Sequence, residues 1–347
     1  MKEMTKRNSK ILEKRIGRKV KKTAPRVSVI IPAYNIADFI VETLESAFAQ
    51  IFSDFEVILV NDGSPDSIKL EKNLQPYFDR IIYIEQENGG AAAARNTAIY
   101  EARGEFLAFL DGDDIWLPEY LESQINALSA KQCDLIYADA LLFGDFRLKH
   151  QTFMTKAPSA GTVTAENLIS AKCNVITSGT VVRREKVLQA ELFDEDLPRI
   201  GMEDFDLWFR LVKNGARLDY QRKILLKYRV RPNSLSGTNV ERAERSIYVL
   251  NTIYKKFELT EKEKIVWKEK MNDYQAQLEL EKGKLCLVQG DFSKAQVHIS
   301  QANKFYHKSK LSLINWLIYV SPKLTLKLFK VIRPTEFSFI SFYKPMK

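Results

Sequence analysis

A chain of 347 residues with 45% apolar and 28% charged residues is long enough for a full core and for two domains, and its composition excludes disordered and fibrous classes. The net charge of +9 sits at the ends: residues 1–26 hold eleven Lys/Arg against two Glu, residues 304–347 hold nine against one, and the stretch between is net acidic. An acidic body argues against a globular domain that binds nucleic acid; basic ends can bind nucleic acid, anionic lipid or nothing in particular.

Cys133, Cys173 and Cys286 are odd in number, far apart and without a CxxC pair. That argues against a disulfide framework or a zinc cage and for a reducing compartment. The N-terminus has no apolar core of a secretory signal, and no apolar run reaches the length of about 18 residues needed to span a bilayer. The expected location is the cytoplasm.

Residues 1–26 are highly charged, lack aromatics and end in Ala24-Pro25, which predicts a mobile arm or a frayed helix. The pattern then changes. VSVIIP (Val27 to Pro32) and FEVILV (Phe55 to Val60) are short apolar, β-branched runs, hence buried strands. RIIYIEQ (Arg80 to Gln86) and FLAFL (Phe106 to Leu110) are two more. Helices are predicted between them: after Asp38 as N-cap, over Ser67 to Phe78, and over the alanine-rich Ala91 to Ala102. Strands alternating with helices at this spacing predict βαβ units and a mostly parallel sheet with helices on both faces.

In such sheets ligands bind beyond the carboxyl ends of the strands. Those ends carry Tyr34-Asn35, Asp62-Gly63-Ser64, Asn88-Gly89-Gly90 and Asp111-Gly112-Asp113-Asp114. The last loop crowds three carboxylates together. Like charges at that density repel and raise one another's pKa unless a cation sits among them, so the loop is a candidate site for a divalent metal. Its alternative is an acidic surface loop.

Further on, a helix over Glu119 to Leu128, a strand at Cys133 to Asp139 and a loop-rich stretch over 140–162 are predicted. Asn174 to Arg184 is apolar and β-branched around Ser178-Gly179, a helix is expected to begin near Glu203-Asp204 and stop at Gly215, and residues 217–230 to form a strand pair. From about 241 the chain reads as helical. Tyr274 to Tyr306 resembles a single tetratricopeptide-like hairpin around Gly290-Asp291, or an ordinary helical pair. Residues 309–333 are apolar and aromatic (Trp316, Tyr319), broken by Pro322, then studded with Lys323, Lys327, Lys330 and Arg333. This pattern suits a helix lying in a headgroup layer, and places the protein at the inner face of the cell membrane; docking on the protein's own core is the other reading.

VSVIIPAYN, EVILVNDGSPD, NGGAAAARNTAI, GEFLAFLDGDD and EDFDLW occur in this order and spacing. Over about residues 27–235 the chain resembles the family-2 glycosyltransferases of GT-A fold. The resemblance implies a GT-A domain at 27–240 with an all-helical extension at 241–347. It also implies transfer of a sugar from a nucleotide-diphosphate donor, with a UDP-sugar expected, to a hydroxyl of a surface-glycan or lipid-linked acceptor, with inversion. Pro32, Ala33 and Tyr34 then wall the nucleotide, and Asp62 reads the base edge. Arg95 serves the diphosphate or holds Asp62 or Asp111. Asp113 ligates Mn²⁺ or Mg²⁺, with Asp111 toward ribose or metal and Asp114 behind them. Asp204 is the expected catalytic base, with Glu203 and Asp206 as substitutes. Two departures stand out. The Gln-x-x-Arg-Trp segment and the membrane helices of the processive synthases are missing, and no histidine follows in Tyr228-Arg229-Val230-Arg231-Pro232, which leaves either Arg229 or Arg231 as a phosphate contact or the third metal ligand absent. Two other functions remain as alternatives: a non-catalytic scaffold of this fold, and a sugar nucleotidyltransferase. The latter calls for a glycine-rich loop after the first strand, where Pro32-Ala33-Tyr34-Asn35 stands instead.

Overall fold

Nine strands form one sheet among the described residues: β1 (Ile11–Ile16), β2 (Val27–Ala33), β3 (Phe55–Asp62), β4 (Ile82–Gln86), β5 (Phe106–Phe109), β6 (Ile115–Trp116), β7 (Leu135–Phe143), β8 (Thr180–Arg183) and β9 (Leu218–Arg229). Their order is β1-β4-β3-β2-β5-β8-β7-β9-β6. The structure is a computed structural model that describes residues 10–144, 151–197, 201–231 and 239–333. The chain divides into two units, Met1–Pro232 and Asn233–Lys347.

In the first unit β4, β3, β2 and β5 run parallel. Every residue of β2 except Pro32, and every residue of β3 except Phe55, is buried. Burial on both sheet faces is why these strands read as unbroken apolar runs. Helices Ile40–Phe48, Ser67–Leu74 and Ala91–Glu101 make the crossovers. β8 then pairs antiparallel with β5 and β7, and β9 runs parallel to β7. The result is a mixed, largely parallel α/β sheet with helices around it.

Three sequence expectations need correction. Residues 11–16 of the expected arm are a strand, antiparallel to β4; residues 1–9 lie outside the described residues. The hydrophobic pattern hid β1 because its half-buried positions include Glu13 and Arg15, which pair with each other, with Arg15 stacked over Phe78 and Tyr83. Charged side chains on an edge strand also guard it against edge-to-edge pairing. Residues 217–230 form one long strand rather than a pair: no Gly, Pro or Asn interrupts them, and a register shift opposite Ala138–Ala140 breaks the alternation instead. Residues Thr177–Gly179 turn as a 3₁₀ segment before β8. Asp38 does not cap its helix, which starts at Ile40 with no side-chain cap; Asp38 pairs with Lys69.

The second unit is helical: Asn239–Lys256, Glu261–Gln289, Phe292–Tyr306, Ser309–Val320 and Pro322–Ile332. Thr260 and Glu263 form a capping box at the start of the longest helix, and Gly290, at φ +82°, ends it in the left-handed conformation. Gly283 lets that helix close on Phe292–Tyr306: a Cβ there would meet Ile299 Cγ1 at 2.7 Å.

Candidate active site

β5 ends at Phe109, and Leu110 is still buried. The chain then turns through Asp111–Asp114, with the Asp114 N–H donating to the Asp111 carbonyl at 3.0 Å. Gly112 is needed for close approach: a Cβ would meet Ile36 Cδ1 at 2.9 Å and the Pro32 carbonyl at 3.2 Å. The turn runs into β6, which pairs with the last third of β9. That pairing delivers the end of β9 to the acidic loop.

Two arginines arrive there. The Arg229 backbone N–H donates to Asp114 Oδ1 at 2.8 Å, and its Nε donates to the Asp113 carbonyl at 2.8 Å. The Arg231 guanidinium pairs with the Asp113 carboxylate at 2.8 Å. Phe39 stacks against both guanidinium groups. Asp114 is buried, and among the described residues its Oδ2 has no hydrogen bond within ordinary distance. Burial first, then the charges of Asp113 and Asp111, push its carboxyl well above the usual range. Asp113 is also raised, by burial and Asp111, against the pull of Arg231.

Arg95 stands on the other side. It projects from helix Ala91–Glu101, whose start follows Gly90 at φ +89°. Its Nη2 donates to Asp111 Oδ1 at 2.8 Å and its Nη1 to Glu203 Oε1 at 2.7 Å. Burial works against its charge, but Asp111 and Glu203 outweigh that and raise its pKa. One buried guanidinium therefore joins the acidic loop to the start of helix Glu203–Lys213. Behind the site, Phe109, Phe193 and Trp208 meet edge to face, with centroids 5.5 to 6.2 Å apart, and fix strand against helix.

Asp204 is half-buried beside Glu203. Thr177 Oγ1 donates to its Oδ2 at 2.7 Å, and the Phe205 N–H donates to its Oδ1 at 2.7 Å. Burial and the Glu203 charge push its pKa up to about 6, against the lowering effect of Thr177, Arg95 and the Phe205 N–H. The substitute bases are otherwise engaged: Glu203 by Arg95, and Asp206 by Arg210 at 2.7 Å.

Asp62 lies at the end of β3 and is 2% exposed. Its Oδ1 accepts from Gln86 Nε2 at 2.7 Å and from the Gly89 N–H at 2.8 Å, and its Oδ2 accepts from the Gly90 N–H at 2.8 Å. A carboxylate has about four lone-pair sites, so one on Oδ2 is left. Asp62 thus ties the 88–90 loop to the rim, a role its sequence position did not reveal. Gly63 sits at φ +59°, and a Cβ there would meet the Asn88 backbone N at 2.8 Å. Pro32 and Ala33 close β2, Ala33 buried and Pro32 half-buried, and Tyr34 beyond them is 52% exposed.

The sequence reading did not identify the Arg95–Glu203 tie, Thr177 as partner of Asp204, or Ser178, whose Oγ accepts the Asp111 N–H at 2.9 Å. Arg229 and Arg231 had carried a signal, as basic residues where a histidine was sought, and both reach the acidic loop.

The family model "Glycosyl transferase family 2" matches residues 28–188. A relative from Bacillus subtilis, "Putative teichuronic acid biosynthesis glycosyltransferase TuaG", is 31% identical over 234 residues, covering 66% of this chain and 88% of the relative. The Escherichia coli "UDP-Glc:alpha-D-GlcNAc-diphosphoundecaprenol beta-1,3-glucosyltransferase WfaP" is 29% identical, covering 65% and 86%. Among solved structures, a mannosyltransferase from Pyrobaculum calidifontis in complex with GDP-Man and Mn²⁺ superposes with a TM-score of 0.60 at 18% identity, covering 92% of this chain and 86% of that one. This last likeness concerns the fold. The chain belongs to glycosyl transferase family 2. It spans only 30% to 34% of the length of several longer curated relatives.

Proposed function

We propose that the chain is a metal-dependent, inverting glycosyltransferase that moves a sugar from a nucleotide-diphosphate donor, a UDP-sugar, to a hydroxyl of a surface-glycan or lipid-linked acceptor at the inner face of the cell membrane. The observation that carries this reading is Arg95, which binds the acidic loop through Asp111 and the neighbour of Asp204 through Glu203. The proposed metal loop and the proposed base are thereby parts of one buried network. The names of the relatives from B. subtilis and E. coli support a glycan acceptor, and the latter name supports a UDP-linked donor and a lipid-linked acceptor.

The donor atoms suit a hard cation. All are oxygens, and Mg²⁺ or Mn²⁺ is commonly held by one or two carboxylates together with substrate phosphates rather than by a full protein cage. Among the described residues, the grouping of three close carboxylates is elsewhere, at Glu13, Glu71 and Glu85, and Arg15 already pairs with two of them. Asp113 and Asp111 would hold the ion, which would offset the charge gathering on the departing nucleoside diphosphate. Arg231 must release Asp113 as the ion arrives, and is then free for phosphate oxygens.

Asp204 accepts the proton of the acceptor hydroxyl as its oxygen attacks the anomeric carbon from the face opposite the phosphate. A base with a pKa near 6 is ionised at neutral pH and still basic enough for that step. Thr177 fixes the orientation of the carboxylate. Asp62 holds Gly89 and Gly90 in place beside the base, and its remaining lone pair can take a pyrimidine N3–H. Pro32, Ala33 and Tyr34 border the nucleotide.

Thermal-shift screening of nucleotide sugars with Mn²⁺ tests this reading. A UDP-sugar and Mn²⁺ together should raise the Tm more than either alone. No shift with any nucleotide sugar would overturn it.

A further inference from the structure

Helices Ser309–Val320 and Pro322–Ile332 are apolar on two sides, and only one of those sides is used. Ile318 packs with Leu287, Ala295 and Ile299 in a small core, and Ile314, Leu326 and Phe329 lie against it. That contact involves both helices. The other side is exposed among the described residues. Leu313, Trp316 and Val320 recur at helical spacing and are 54%, 57% and 56% exposed, with Tyr319 beside them at 77%. Leu324, Leu328 and Val331 continue the pattern on the second helix at i, i+4 and i+7. Apolar residues exposed singly need no explanation, but a stripe carried across two successive helices does.

The charges beside the stripe say what it meets. Lys323, Lys327 and Lys330 each stand one position before Leu324, Leu328 and Val331, so a lysine stripe flanks the apolar one. No Asp or Glu occurs from 292 to 335. A second copy of this chain would bring the same lysines together across a two-fold interface. An anionic bilayer would instead meet the lysines with lipid phosphates and receive Trp316 and Tyr319 at headgroup depth. A shallow groove of about 470 Å³, with Lys304 and Asn315 in its wall, opens beside those two aromatics and offers room for a headgroup.

We propose that this two-helix face is the surface by which the protein lies on an anionic membrane, the apolar stripe in the headgroup–acyl boundary and the lysines among the phosphates. This deepens the location given above, and rests on that reading only for its biological setting. The test is sedimentation of the full-length protein with phosphatidylcholine vesicles and with vesicles that also contain phosphatidylglycerol. Binding is expected to the anionic vesicles and to weaken as salt rises. Lys323→Gln, Lys327→Gln and Lys330→Gln together should reduce partition by more than about tenfold. Trp316→Ser with Tyr319→Ser should also abolish most of it, and both variants should keep the wild-type Tm rise with nucleotide sugar and Mn²⁺. A wild-type chain that ignores anionic vesicles, or variants that bind as it does, would overturn the proposal. So would a concentration-dependent dimer that the Trp316→Ser, Tyr319→Ser variant breaks. Loss of the Tm rise in the wild type would overturn the transferase reading instead, and leave the membrane face standing.

Discussion

Asp204→Asn should make the protein more stable while removing its activity, and should do so in a pH-dependent way. In the folded chain burial and Glu203 hold the Asp204 pKa at about 6, against an ordinary value of 3.8 for an exposed aspartate. The folded state therefore binds more protons than the unfolded state between those values, and stability falls as pH rises through that window. One pKa unit is worth about 1.4 kcal/mol, so the carboxylate destabilises the fold by about 1 kcal/mol at pH 4.5 and by about 3 kcal/mol at pH 8. Asparagine carries no charge to desolvate. Its carbonyl can still accept from the Phe205 N–H, and Thr177 can turn its hydroxyl to accept from the amide. Urea unfolding of both proteins at the two pH values reads the difference directly. The variant should gain about 2 kcal/mol more at pH 8 than at pH 4.5. An equal effect at both pH values, or a loss of stability at pH 8, would refute the electrostatic account of this carboxylate.

Arg95→Met should destabilise the first unit by about 3 kcal/mol in urea unfolding, because it strands the carboxylates of Asp111 and Glu203 without their shared cation; a change below about 1 kcal/mol would contradict the network. Arg231→Gln removes the cation resident on Asp113, so Mn²⁺ binding followed by electron paramagnetic resonance in the absence of nucleotide should tighten several-fold, and unchanged affinity would show that Arg231 does not compete for the loop. Gly283→Val forces a side chain toward Ile299 and should cost about 1–3 kcal/mol in thermal or urea unfolding, with nucleotide-sugar binding intact. Full stability would mean that the two helices do not close as tightly as described. In kcat/KM the acidic limb should fall near pH 6, with activity lost as Asp204 takes up its proton. A limb near pH 4 would place the base elsewhere.

The parallel half of the sheet was legible because strands buried on both faces leave unbroken apolar runs, as VSVIIP and FEVILV do, and the turn residues that end them mark the rim. Edge and long strands were harder to read. β1 turns Glu13 and Arg15 to its half-buried side, so charge masked its alternation. β9 carries a register shift that breaks the period of two. At the site, motif order was enough to name the acidic loop and Asp204 as candidates. The partners that tune them come from distant segments: Glu203 meets Arg95 across 108 positions, and Arg231 reaches Asp113 only because β6 pairs with β9. Spacing along one chain carries no signal for such contacts. Asp62 was legible as a rim residue, but its hold on the 88–90 loop, with three donors on its carboxylate, depends on Gln86, Gly89 and Gly90 folding back onto it.

The central claim is metal-dependent transfer with inversion, with Asp204 as the base. Proton nuclear magnetic resonance of slow donor hydrolysis, with water as acceptor, tests it without knowledge of the natural acceptor. An α-linked UDP-sugar incubated with the protein and Mn²⁺ should release the β-anomer of the free sugar first, before mutarotation, with little release when the metal is chelated or when Asp204 is Asn. Release of the α-anomer first, or release that survives chelation and the Asp204→Asn change, would contradict the account.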